Sequence, residues 1–127
     1  PSKLSKEEED TLKGLFENAI NKEKFNVQFE SMSEDSSPIV ITQPEFIRRM
    51  MEQQKLGGGG GFYGAFPEMF TMTINSNHAA ITGLTGKPEK KQQATIKQLT
   101  DLALLAQGLL KGEALSSFVE RNLKGIA

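Results

Sequence analysis

The chain of 127 residues contains no cysteine and only one histidine. Without cysteine it cannot form a disulfide, a thiolate zinc site or a cysteine nucleophile. Its 15 basic and 16 acidic residues nearly cancel, so the sequence lacks the basic surface that nucleic-acid binding needs. It has no signal-peptide pattern and no apolar run of about 18 residues. We therefore expect a cytoplasmic protein with neither nucleic acid nor a membrane among its partners.

The composition gives little support to catalysis. His78 is the only histidine, and no local spacing supplies it with the partners of a catalytic triad or a metal site. A structural or helix-capping role is the simpler interpretation. We predict that the chain is not an enzyme. The alternative, an enzyme, would be supported by turnover of a hydrolysable substrate that depends on His78.

Length and patterning predict one α+β domain. Ser5 and Glu8 match a capping box that starts a first helix. Five apolar residues at helical spacing give this helix one buried face: Leu12, Leu15, Phe16, Ala19 and Ile20. Because the chain begins at Pro1 without a methionine, we expect it to be a fragment of a longer protein.

Three short apolar segments predict strands. Phe25, Val27 and Phe29 alternate with polar residues, as in a half-buried strand. The second segment, 39–42, is continuously apolar up to its last residue, which favours a central position in the sheet. The third, 70–75, alternates again. A helix joins strands two and three, which predicts that they are parallel to each other unless the third strand pairs elsewhere.

The predicted second helix begins with Thr42 as its cap and Glu45 closing a capping box. Three of its side chains are expected to pack partly on the sheet: Phe46, Ile47 and Met50. The glycine run 57–61 ends this helix. That run follows a helix rather than a strand and lacks a closing Gly-Lys-Ser/Thr, so we interpret it as a flexible linker and not as a phosphate loop.

The last third of the chain is too apolar for a single core contact. On a wheel of ~100° per residue, the first of its two helices is apolar around about half of its circumference, whereas one core contact needs a stripe of roughly 100°. Its apolar residues are Ile96, Leu99, Leu102, Ala103, Leu105, Ala106, Leu109 and Leu110. After a break at 111–113, the second helix carries Leu115, Phe118, Val119, Leu123 and Ile126 on one side. The pattern predicts half of a four-helix bundle completed by another copy, and a helical hairpin buried within one monomer is the alternative.

Two residues in this region have specific expected roles. Gly108 is predicted to lie within the long helix, where it costs ~1 kcal/mol relative to alanine and permits either close helix approach or a local kink. Asn122 falls inside the second apolar arc. It either fixes the register of the bundle, as single asparagines do in coiled coils, or lies at the solvent edge.

Four segments occur in an order that resembles the C-terminal domain of the heat shock protein 90 chaperones, particularly the bacterial members. They are a serine-proline strand start (37–42), an arginine-methionine-rich helix (49–54), a third strand ending in asparagine-x-x-histidine (73–78), and an alanine-leucine-leucine helix followed by glycine (99–108). The resemblance covers nearly the whole chain from about Leu4.

The resemblance implies a small three-stranded sheet covered by helices, with two C-terminal helices that form a four-helix bundle in a constitutive homodimer. The implied interface residues are Leu99, Leu102, Leu105, Ala106, Leu109, Leu110, Leu115, Phe118, Val119, Asn122, Leu123 and Ile126. The family's ATP and magnesium site lies in a separate N-terminal domain. No cofactor or metal is therefore expected in this fragment.

The resemblance further implies an apolar surface for unfolded clients around the second helix and the loop that follows. The candidate residues are Met50, Met51, Leu56, Phe62, Tyr63 and Phe66. Methionine is flexible and polarizable, which suits promiscuous apolar binding. The alternative is that these side chains pack on the sheet.

We therefore predict a single C-terminal dimerisation domain over residues 1–127, with an α/β body at 1–95 and dimerisation helices at 96–127. Its expected role is to join two copies of an ATP-dependent chaperone and to help bind unfolded or partly folded client proteins. The alternative is a free-standing dimeric peptide- or ligand-binding domain with the cluster from Phe62 to Phe70 as its pocket.

Overall fold

The computed structural model describes residues 1–56 and 68–127, the side chains of 54–56 excepted. These residues form an α+β fold, as predicted. The order of the elements is α1 (Lys6–Ala19), β1 (Phe25–Glu30), β2 (Ile39–Thr42), α2 (Glu45–Leu56), β3 (Phe70–Asn75), α3 (Ala79–Thr82), α4 (Glu89–Ala106) and α5 (Gly112–Ile126). Within the described ranges no helix has both the length and the apolar character to cross a bilayer.

The sheet is centred on β3, with the strand order β1-β3-β2. β1 runs parallel to β3, with Phe25 opposite Phe70, and β2 runs antiparallel to it, with Ile39 opposite Ile74. The expectation of a central β2 parallel to β3 was therefore wrong. All of the last four residues of β3 are buried, whereas burial alternates along β2. A short apolar run does not reveal whether a strand is paired on one side or on both.

Local hydrogen bonds explain where the helices begin. The Ser5–Glu8 capping box is present, with Glu8 N donating to Ser5 Oγ at 3.1 Å and Ser5 N donating to Glu8 Oε1 at 2.9 Å. His78 caps α3, because its Nδ1 accepts from Ala80 N at 3.0 Å. The expected Thr42 cap was wrong, since Thr42 remains in β2 opposite Thr71 and α2 begins at Glu45.

The core lies between the sheet and the helices α1 and α4. Its buried apolar residues are Leu4, Leu12, Phe16, Val27, Ile39, Ile41, Met72, Ile74, Ile81, Leu84 and Ile96. The rings of Phe16 and Phe29 meet edge to face at 6.3 Å. On α2, Ile47 is buried and Met50 half-buried, but Phe46 is 67% exposed. The expectation that Phe46 packs on the sheet was therefore wrong, because side chains of adjacent residues point ~100° apart on a helix.

Gly108 ends α4 instead of lying within it. Its φ is +70°, and its N–H donates to the Leu105 carbonyl at 3.0 Å while Leu109 N donates to the Leu104 carbonyl at 2.8 Å. These two bonds form a Schellman motif with glycine in the left-handed position. The expected role of Gly108 as a site of close helix approach or of a kink was therefore wrong.

The Gly108→Ala variant is expected to lower the free energy of unfolding by about 1–2 kcal/mol, because alanine is strained at positive φ. An added Cβ would meet no atom within 4 Å there, so backbone strain is the main effect. Gly14→Ala is the matched control. Gly14 lies inside α1 with equally open space, and alanine there is expected to add about 0.5–1 kcal/mol. Urea unfolding of both variants at one protein concentration is the measurement, and a Gly108→Ala chain as stable as the parent would contradict this account of the helix end.

Candidate functional site

Helix α4 has an inward and an outward apolar face. Ile96 and Thr100 are buried against the body. Leu105 follows Ile96 by nine residues, which places it ~180° around the helix, and it is 42% exposed. Leu102 is exposed on the same side. The breadth of the apolar arc in the sequence thus corresponds to two surfaces, one packed on the core and one open.

Helix α5 packs sparsely on the rest of the chain. Of its side chains, all of which are described, only that of Phe118 is buried. Leu123 is 60% exposed and Ile126 is 81% exposed, and Val119 is also exposed. The apolar side of α5 therefore faces solvent over most of its length.

The residues of the predicted interface divide into three sets. Four are covered within the chain: Leu110 and Phe118 are buried, and Leu99 and Leu109 pack partly buried against the core or its edge. Leu115 and Asn122 are half-buried. Six point outward and form what we term the C-terminal apolar face: Leu102, Leu105, Ala106, Val119, Leu123 and Ile126.

A buried carboxylate connects α4 to α5. Asp101 is only 2% exposed. Its Oδ1 lies 3.3 Å from Lys97 Nζ and its Oδ2 accepts from Arg121 at 3.0 Å. Two cations thus offset the loss of hydration that an unpaired buried carboxylate would suffer.

Amide side chains extend this arrangement. Gln98 Oε1 accepts from Arg121 at 2.8 Å, and Gln98 Nε2 donates to Asn122 Oδ1 at 2.9 Å. Asn122 Nδ2 in turn donates to the Phe118 carbonyl at 2.7 Å. The Arg121 guanidinium lies 5.5 Å from the centre of the Phe118 ring, within cation–π range.

We term this set the α4–α5 polar cluster: Lys97, Gln98, Asp101, Arg121 and Asn122. Sequence reasoning identified only Asn122 among them. The spacing of Lys97 and Asp101, four residues apart, was a weak signal, because such pairs most often lie on exposed helix surfaces. Nothing local indicated that Arg121 on the next helix would reach the same carboxylate.

The candidate client surface is described only in part. Met50 and Met51 are half-buried, and Gln43 Nε2 lies 3.6 Å from Met51 Sδ. Phe62, Tyr63, Phe66 and the side chain of Leu56 fall outside the described residues. Beside α2 lies a groove of about 350 Å³, lined by Ile41, Thr42, Gln43, Arg48, Phe70, Gln107 and Leu109.

The described residues 1–56 and 68–127 contain no group of three or more metal-ligating side chains placed to hold an ion. His78 engages its Nδ1 in capping α3.

Together, the fold and the exposed helices define a broad class, an α+β domain with apolar side chains exposed on its last two helices. The proteins that the chain is similar to are chaperones. Chaperone protein HtpG of Porphyromonas gingivalis is 35% identical over 100 residues, which cover 76% of this chain and 15% of that protein. Chaperone protein htpG of Bacteroides fragilis is 26% identical over 170 aligned positions, which cover 83% of this chain and 25% of that protein.

The chain is homologous to part of the HtpG chaperones, and the predicted resemblance to the heat shock protein 90 family is confirmed. It spans between 15% and 25% of the length of these two relatives. No family model matches the chain. The relationship makes it a chaperone-related domain.

The Asp101→Asn variant is expected to lower the free energy of unfolding by about 1.5–3 kcal/mol, because it removes a buried charge that accepts from two cations. Glu45→Gln is the matched control, since Glu45 also pairs with a basic residue four positions away, Arg49 at 2.7 Å, but both side chains are exposed. That change is expected to cost about 0.5 kcal/mol or less. Denaturant unfolding of the two variants in parallel is the measurement, and equal losses would mean that burial of Asp101 contributes nothing.

Proposed function

We propose that this chain is the dimerisation domain of an HtpG-type chaperone and that two copies join through the C-terminal apolar face. The observation that carries the proposal is the exposure of large apolar side chains on both α4 and α5, with 42% for Leu105, 60% for Leu123 and 81% for Ile126. Contiguous exposed apolar surface of this kind marks a contact site in soluble proteins.

The two helices support one shared surface. The bond between Gln98 and Asn122 brings α4 and α5 together at one point. Leu102 and Leu105 lie about one and two helical turns beyond Gln98, and Leu123 directly follows Asn122. A two-fold axis would place this helix pair against its copy, which completes a four-helix bundle.

The energetics favour a second copy over an exposed helix pair. Burying a large apolar side chain contributes about 1.5–3 kcal/mol, and a two-fold axis supplies the same side chains from each copy. Their sum can exceed an association cost of ~4–15 kcal/mol. The alternative of a hairpin buried within one monomer would cover these side chains, and in the described structure they are open.

In this proposal the domain acts within a longer cytoplasmic chaperone whose ATP and magnesium are bound elsewhere. The chain itself contributes no catalytic residue. The similarity to the HtpG chaperones supports this setting. The alternative of a free-standing dimeric binding domain has the Phe62–Phe70 cluster as its pocket, and most of that cluster lies outside the described residues.

The double variant Leu105→Glu, Val119→Glu is expected to give a folded monomer, because each copy would bring two carboxylates to a symmetric apolar contact. The unchanged chain is expected to sediment at twice its 14.0 kDa mass throughout a dilution of about a hundredfold. Sedimentation velocity on both proteins, with circular dichroism to confirm folding, is the measurement.

Gln93→Glu with Ser117→Glu is the matched control. Both positions are exposed and polar, and one lies on each of the same helices. The control adds the same charge and is expected to remain a dimer. A glutamate variant of Leu105 and Val119 that stays a tight dimer would move the contact elsewhere, and an unchanged chain that is monomeric throughout would overturn the proposal.

We also propose that α2 contributes to client binding, with Phe46 as its exposed contact. Phe46 is 67% exposed and lies one turn before Met50 on the same helix. An exposed phenylalanine followed by half-buried methionines offers an adaptable apolar surface to an unfolded chain.

The Phe46→Ser variant is expected to weaken binding of a permanently unfolded test protein by about tenfold, since burial of a phenylalanine contributes about 1.5–3 kcal/mol and 1.4 kcal/mol is a factor of ten. Gln53→Ser, an exposed polar position on the same helix, is the control and is expected to bind normally. Fluorescence anisotropy of the labelled test protein gives the dissociation constants. Equal affinity of Phe46→Ser and the parent would remove α2 from the client surface.

A further inference from the structure

We infer that the α4–α5 polar cluster positions α5 for self-association, so that Arg121 and Gln98 set the strength of the dimer without lying on the C-terminal apolar face. This inference rests on the proposed dimerisation. It assigns a function to side chains that neither the sequence patterns nor the similarity to HtpG distinguishes.

Apolar packing alone holds α5 weakly. Phe118 is its single buried residue. The connection from α4 passes through Gly108 and Gly112, whose φ angles of +70° and +58° lie in the left-handed region. Hydrophobic contact is non-directional, so one buried ring does not determine how α5 is turned about its own axis.

The polar cluster supplies directional contacts that fix the rotation of α5 about its axis. Gln98 acts as its hub, because its carbonyl oxygen accepts from Arg121 and its NH₂ group donates to Asn122. A side-chain amide offers both a donor and an acceptor from one planar group. Since hydrogen bonds weaken steeply away from linear geometry, these contacts restrict the rotation of α5.

The rotation fixed in this way turns the apolar residues outward. Val119 and Leu123 each lie two residues from Arg121, which corresponds to ~200° around a helix. Holding Arg121 against Asp101 at 3.0 Å therefore directs both apolar side chains away from α4 and the body. On α5, Arg121 and these two apolar side chains therefore lie on opposite sides of the helix.

The orientation of α5 affects the strength of the dimer through the fraction of molecules that can associate. When only a fraction of molecules has α5 in the competent orientation, each of the two copies must be competent to associate, so the apparent dissociation constant of the dimer rises by the inverse square of that fraction. Loss of the Arg121 contacts is expected to reduce that fraction to about one third, which weakens the dimer by about tenfold because the fraction enters once for each copy.

The test compares dimer dissociation constants, measured by sedimentation equilibrium, with hydrogen exchange of the α5 amides. Arg121→Met keeps an apolar stem and removes the guanidinium. It is expected to raise the dissociation constant about tenfold and to accelerate exchange across 112–126 while β3 stays protected. Arg121→Lys is expected to restore part of the affinity, because lysine can still pair with Asp101 but its flexible ammonium lacks the fixed planar geometry with which Arg121 Nη2 donates to both Asp101 and Gln98.

Two further variants keep the test decisive. Val27→Ala shortens a buried side chain of β1 and is expected to lower the unfolding midpoint while leaving the dissociation constant within twofold. Gln98→Met removes the hub and leaves the Asp101 pair with Lys97 and Arg121 in place, so it serves if Arg121→Met fails to fold. It is expected to weaken the dimer in the same direction.

The outcomes separate this inference from the proposed dimerisation. A parent chain that dimerises, together with Arg121→Met and Gln98→Met variants that dimerise equally well, would overturn the positioning role and leave dimerisation standing. A parent chain that is monomeric at all concentrations would overturn both. A Val27→Ala variant that weakens the dimer as much as Arg121→Met would mean that the cluster affects association only through the overall stability of the fold, and would overturn the positioning role.

Discussion

The packing of α4 against the body is the constraint on which the rest of the C-terminal region depends. Ile96 joins the core of the sheet and α1, and Thr100 is buried beside it. This contact fixes which side of α4 faces inward, and so leaves Leu102 and Leu105 on the outside. Because α5 is attached to the body chiefly through α4, its position follows from that of α4. The buried side of α4 thus determines where the C-terminal apolar face lies.

The buried carboxylate of Asp101 illustrates a different use of burial. The carboxylate loses its hydration while the side chains of Lys97 and Arg121 remain 48% and 37% exposed, and ion pairs of a buried charge add little net stability compared with well-packed apolar side chains. The ion pairs of Asp101 instead restrict geometry, because a carboxylate that pairs with two cations allows few relative positions of the two helices. Lys97 belongs to the same helix as Asp101 and Arg121 to the next. The cluster therefore joins the two helices through directional contacts, where apolar packing between them is sparse.

Capping and alternation patterns in the sequence account well for individual helices and strands. Ser5 and Glu8 form the predicted capping box, and Phe25, Val27 and Phe29 alternate in β1 as expected. Such features depend on residues within a few positions of each other. The prediction for Gly108 failed because the apolar pattern continues through Leu109 and Leu110, beyond the point where α4 ends. Apolar spacing describes which residues are buried, but it does not require them to lie on one helix.

By itself, the sequence determined the α+β class, the capping of α1, the alternation of β1 and the excess of apolar surface on the last two helices. The order of the strands, the exposure of Phe46 and the division of that apolar surface between core and solvent were decided only in the tertiary structure. So was the meeting of Asp101 with Arg121, twenty residues later in the chain. Periodicity is a property of neighbouring residues, whereas strand pairing and interhelix ion pairs join residues that are distant in sequence, and their free energies depend on which distant surfaces meet.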